Sequence, residues 1–204
     1  MSTASGRFPL ISREQMSERQ REVADDITAG PRGALKGPFL VLIHNAELAA
    51  PLQSLGEHLR FGTEFPKTIV ELAVLVTAHR WSCEYEWFAH ARIAAEAGVR
   101  EALIRAIALG ELPPDMSADE ALVHRFCVEV AWDGRPGDVA MEAVLSRFGR
   151  SASLDLIALT GYYTLLAMVL NAAKVPAPAH PIPLDLAHGA RRPATQWPLE
   201  GRGE

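Results

Sequence analysis

The stretch KTIVELAVLVTAHRWSCEYEWFAHARIAAEAG, residues 67–98, decides the fold. Ile69, Val70, Leu72, Ala73, Val74, Leu75, Val76 and Ala78 leave only Glu71 and Thr77 to interrupt an apolar surface between positions 69 and 78. A helix that is apolar nearly all round is a buried one. Pro66 stands where this helix begins, the place a helix accepts proline best. Arg80 and Trp81 form a short corner. Ser82 is expected to cap a second helix over about 83–97, and Gly98 to stop it. Glu71 is therefore a carboxylate on a central helix, and a buried carboxylate needs partners.

Outward from this pair the chain keeps a helical period. Ser17 and Gln20 form a capping box for a helix to about residue 29, which Gly30, Pro31 and Gly33 break. A short apolar segment spans 39–44, and Asn45 caps a helix over 46–61. Further helices are expected at 101–109, 118–132, 139–148 and 153–173. Strand signals are nearly absent: there is no Asn-Gly hairpin and no sustained alternation. The expected fold class is all-α, one helical domain over 17–174 behind an irregular arm at 1–16. Beyond 174, Pro176, Pro178, Pro181, Pro183, Pro193 and Pro198 rule out a long helix and leave an extended tail to 204. Leu184, Leu186 and Trp197 favour a tail that wraps over a neighbouring surface.

Composition narrows the function classes. A length of 204 residues favours one domain, and 49% hydrophobic with 22% charged residues is ordinary for a globular chain. The net charge of −5 argues against nucleic-acid binding by phosphate neutralisation. Two cysteines are too few for a disulfide framework. The apolar patch at 8–11 is too short for a signal-peptide core. The most apolar run, 156–170, falls short of the ~20 residues of a membrane span. The expected setting is the cytoplasm, with no membrane partner.

Chemistry concentrates on the second helix of the quoted pair. Cys83, Glu86 and His90 stand at i, i+3 and i+7 and share a face. The tight corner can bring Glu71 to this column, which would gather two carboxylates, an imidazole and a thiol. Burial and a neighbouring carboxylate both raise a carboxyl pKa, and so a site gains a proton donor near neutrality. A Glu-x-x-x-His pair standing alone is more often a solvated face. Cys83 taken alone is most often an inert small residue, although a helix N-terminus favours a thiolate. Zinc is disfavoured, because there is no His-Glu-x-x-His motif, and no metal or organic cofactor is expected. No phosphate-binding loop and no serine nucleophile elbow is present. Tyr85, His44 and Trp81 are candidate substrate contacts; for aromatic residues the plainer reading is core packing.

Residues 71–98 resemble the carboxymuconolactone decarboxylase family, in the superfamily that also holds the alkylhydroperoxidase D proteins. Residues 37–61 look like that family's preceding helical pair and 156–176 like its last long helix; the resemblance runs over roughly 14–178. The alkylhydroperoxidase branch carries a Glu, then Cys-x-x-Cys, then a His four residues on. Here Glu71, Cys83 and His90 fall in register, and Glu86 occupies the second cysteine position. A vicinal dithiol cannot form, so a Cys-x-x-Cys disulfide cycle is closed to this chain. The resemblance implies an all-helical fold of the alkylhydroperoxidase D type, assembly as a homotrimer or homohexamer, and cofactor-free decarboxylation of a carboxylated lactone or similar organic acid. Glu71, Cys83, Glu86 and His90 are the expected catalytic positions, with His90 as acid/base. Two other readings stay open: a single-cysteine peroxidase using Cys83, and a non-catalytic oligomeric protein that binds a small ligand.

Overall fold

The computed structural model describes residues 7–186 and 189–193. Trp197 lies outside the described residues. A 3-10 turn at Arg13–Gln15 leads into helix α1, Glu18–Ala29, whose N-terminus carries the Ser17–Gln20 capping box. Helix α2, Phe39–Leu42, is a single turn. Helix α3, Ala46–Glu57, starts at Asn45, whose side chain accepts from the Leu48 amide. The chain then winds through α4 (Lys67–Arg80), α5 (Glu84–Ala97), α6 (Glu101–Leu109), α7 (Ala118–Asp133) and α8 (Asp138–Ala173). There is no strand among the described residues.

Helix α4 is the axis of the bundle. Every residue from Ile69 to His79 is buried, and α5, α7 and α8 pack around it. Burying one Leu or Ile side chain stabilises by ~1.5–3 kcal/mol, so this one helix anchors three neighbours. Helix α8 is expected as two helices, and its one non-helical residue is Gly149, with φ 79 and ψ 174. That backbone form is nearly closed to residues with a Cβ, so the glycine sets the break. Helix α8 is long and apolar enough to cross a membrane by length and composition, and half of its most apolar window is buried inside the fold.

Two boundaries differ from expectation. Ser82 does not cap α5. It takes a left-handed backbone, φ 48, and passes the N-cap position to Cys83, which makes no side-chain cap bond. A tight corner needs one residue with reversed φ, and Ser82 supplies it. Asn171 on α8 ties the corner down by donating to the Trp81 carbonyl at 2.8 Å. The helix expected over 46–61 ends as an α-helix at Glu57 and continues as a π-helical turn, His58–Gly62.

The tail is extended where described and lies on α4–α6. Trp87 Nε1 donates to the Ile182 carbonyl at 2.6 Å, and the Asp185 amide donates to the Ala108 carbonyl at 3.1 Å. Leu184 is buried with Leu72, Leu75, Trp87 and Ile104. Arg192 holds Asp133 through both guanidinium nitrogens at 2.7 Å.

Candidate active site

A cleft of about 330 Å³ opens between the loop after α1, the π-helical turn, α5 and α8. Its inner wall carries Glu86 and His90 from α5 and Tyr163 from α8; Arg32, Arg60 and Tyr85 stand nearer the mouth. Glu86 and His90 are four residues apart, so one helical turn sets them on the same wall.

His90 Nδ1 is 2.7 Å from Glu71 Oε2, and both side chains are buried. With the Glu71 carboxylate accepting from Nδ1–H, the lone pair of the ring falls on Nε2. The Tyr163 ring meets the imidazole edge-on, with centroids 4.9 Å apart and planes at 86°. Two restraints, one polar and one aromatic, thus hold the ring in a single orientation.

Glu86 is built differently. It is 3% exposed, and neither of its carboxyl oxygens has a hydrogen-bond partner. Burial raises its pKa well above the ordinary carboxyl value. An ionised carboxylate without partners in such a setting is strongly disfavoured. Burial thus favours the neutral acid form of Glu86, one helical turn from an imidazole whose Nε2 is free. Two groups whose surroundings set them apart in this way form an acid–base pair.

The four expected catalytic positions do not form one column. Glu71, Glu86 and His90 come together, and Cys83 does not join them at the cleft. Cys83 is fully buried in an apolar cluster with Ala167 and Leu170, flanked by Trp81, Tyr85 and Val175. Burial pushes its thiol pKa far up, and the Glu86 carboxyl adds to that. The helix N-terminus, expected to favour a thiolate, is outweighed by desolvation.

The three expected substrate contacts also divide. Tyr85 lines the cleft. His44 does not: its Nε2 meets the Pro9 carbonyl at 2.9 Å and its ring packs edge-on against Phe8, so it pins the N-terminal arm. Trp81 lies behind the corner, where its Nε1 donates to Thr164 Oγ1 at 3.0 Å and Arg80 stacks on its face. Both side chains are committed to structure by these partners. Among the described residues no three His, Cys, Asp or Glu side chains gather as metal ligands.

Sequence reading missed the cations of the cleft. Arg32 and Arg60 line it, and Arg32 donates to the Tyr162 hydroxyl at 3.1 Å and to Gln53. An Arg in the last turn of a helix ordinarily complements the helix dipole, so Arg60 carries no distinctive signal. The π-helical turn that presents it left no mark in the sequence either.

No protein-family model and no curated protein matches the chain. Among solved structures, the fold is similar to that of an uncharacterized peroxidase-related protein from Ralstonia eutropha JMP134, described as an alkylhydroperoxidase AhpD core. The TM-score is 0.67 at 17% identity, covering 84% of this chain and 92% of the other. The chain thus has the all-helical fold of the alkylhydroperoxidase D type.

Proposed function

We propose that the chain is a cofactor-free acid–base enzyme of the alkylhydroperoxidase D-like superfamily, acting on a small carboxylated lactone or similar organic acid. The observation that carries this reading is Glu86: a carboxyl with two buried, unpartnered oxygens on the wall of a cleft, beside the Glu71–His90 pair. A protein gains no stability from such a group, and a reaction that needs a proton donor does.

In decarboxylation the bond to the departing carboxylate breaks and its electron pair stays on the substrate as an enolate. Protonated Glu86 delivers a proton to the carbon and becomes a carboxylate, which a proton from solvent restores. His90, held by Glu71, takes up that solvent proton on Nε2 and relays it to the Glu86 carboxylate. General acid–base catalysis contributes ~10²–10⁴-fold, so Glu86→Gln and His90→Ala should each lower kcat by about that factor. The assay is release of CO₂ from a panel of carboxylated γ-lactones, with proton exchange at the carbon next to the carbonyl followed in heavy water. Wild-type rates in both variants, with folding intact, refute the reading.

The single-cysteine peroxidase is disfavoured by the burial of Cys83. Assembly as a homotrimer or homohexamer belongs to the same proposal. Light scattering that finds only monomer at micromolar concentration removes it.

A further inference from the structure

The cleft holds two guanidinium groups, and neither is ion-paired among the described residues. Among the described residues Arg60 makes no ion pair and no hydrogen bond, its Nε is buried without a partner, and its guanidinium lies over the face of Phe61 at 4.9 Å. Arg32 binds Gln53, Tyr162 and the face of Phe39, all of them neutral. Burial disfavours the charged form of Arg32, and the nearby Arg60 charge adds to that penalty. Lys36 lines the same mouth. Glu86, the carboxyl on the cleft wall, bonds neither of them, and Glu71 is taken up by His90. Like charges held together in a partly buried setting are costly unless an anion joins them.

The backbone adds a second, independent observation. Arg60 sits in the middle of the π-helical turn His58–Gly62. Such turns are rare and tend to occur at functional sites, where an inserted residue re-aims side chains. Here the turn carries Arg60 and Phe61 into the cleft, across from His90 and Tyr163.

We infer that Arg60 is the carboxylate-recognition residue of this cleft, selecting a single-ring or similarly small organic acid and holding its non-reacting carboxylate while the remainder faces Glu86 and His90. This deepens the acid–base reading and rests on it for the reaction alone; the anion site stands on its own observations. An arginine fork binds a carboxylate through two parallel hydrogen bonds, stronger than those between neutral groups. A cleft of about 330 Å³ suits a one-ring acid.

The test uses benzoate and its uncharged isostere benzamide, titrated by calorimetry into the full-length protein. Wild type should prefer benzoate by ~10-fold or more, as a charge-assisted pair requires. Arg60→Met, which keeps the length of the stem, should remove the preference; Arg60→Lys, which keeps the charge and loses the fork, should retain part of it. Thermal melting checks the fold, and if Arg60→Met does not fold, a reduced preference in Arg60→Lys carries the test. Equal binding of the two probes, no saturable benzoate binding, or an unchanged preference in the Arg60 variants overturns the inference. Glu86→Gln separates the two readings. It should keep the benzoate preference and lose turnover. A preference without turnover of any lactone sinks the catalytic reading alone; turnover unaltered by Arg60→Met sinks the anion site alone.

Discussion

Glu86 gives the protein a measurable pH dependence. Its folded-state pKa lies above the unfolded value, so ionising Glu86 destabilises the fold. On this account stability is complete below the ordinary carboxyl range and is lost as pH rises toward the folded pKa, at ~1.4 kcal/mol per pH unit. His124 works in the opposite sense. Burial lowers its pKa to about 4, and its stability contribution, present above about 6.5, is lost as pH falls toward that value. Between about 4.5 and 6.5 the two slopes oppose, and buried His79, its pKa also lowered, acts in the same sense as His124. Melting curves should show wild type losing stability relative to Glu86→Gln as pH rises above the ordinary carboxyl range. A stability difference between wild type and Glu86→Gln that does not change with pH contradicts the assignment. Cys83 supplies a second residue-level expectation. Buried and protonated, it should resist an aromatic disulfide reagent in the native protein and react once denaturant opens the fold, and Cys83→Ala should turn over substrate at the wild-type rate. Rapid labelling of native Cys83 would revive the peroxidase reading.

At the scale of elements, the cleft depends on how closely α3 and its π-helical turn approach α8. Gly56 marks the contact, since an added Cβ there would overlap the Tyr162 hydroxyl and Arg32 Nη2. Overpacking of this kind costs ~1–3 kcal/mol. Gly56→Ala should therefore lower the melting temperature and also displace Arg32, so that benzoate affinity falls along with stability. Wild-type melting and affinity together would mean that this approach is looser than the geometry requires. The corner between α4 and α5 plays the matching part on the other side. Left-handed Ser82 and the Asn171 bond to Trp81 fix the angle at which α5 leaves, and that angle brings His90 to Glu71 across 19 residues of sequence.

For the whole molecule, the tail acts as a strap over α4, α5 and α6. Removing residues 176–204 takes away Leu184, whose burial is worth ~1.5–3 kcal/mol, and leaves Trp87 Nε1 without its acceptor. The truncated protein should melt at lower temperature, with Trp87 emission shifted to the red and binding of a hydrophobic dye increased. Unchanged melting and emission would show that the strap adds nothing to the fold. No described residue of the tail lines the cleft, although Phe88 of its wall meets the His180 ring edge-on, so benzoate binding should survive truncation wherever the domain remains folded.

The local pattern of residues determined where the helices form. Ser17 with Gln20, Asn45, Pro66 and Gly98 mark ends by backbone chemistry confined to one turn, and the structure places helix boundaries beside all four. The apolar run at 69–78 likewise determined that α4 is central, because a helix with no polar face has nowhere else to go. Glu71, Glu86 and His90 stood out because polar groups on buried faces conflict with their surroundings, and that conflict is visible in one dimension. What each of them does was decided only by tertiary packing. Glu71 found His90 and Glu86 found nothing, although both are glutamates on buried helical faces. Cys83 had the same helical spacing and turned to α8 instead, where desolvation outweighs the dipole of its own helix. The cationic mouth was invisible for a further reason. Arg32 and Arg60 are ordinary in their local sequence, and they become a site only when a π-helical turn and a loop 28 residues away close over the same cleft.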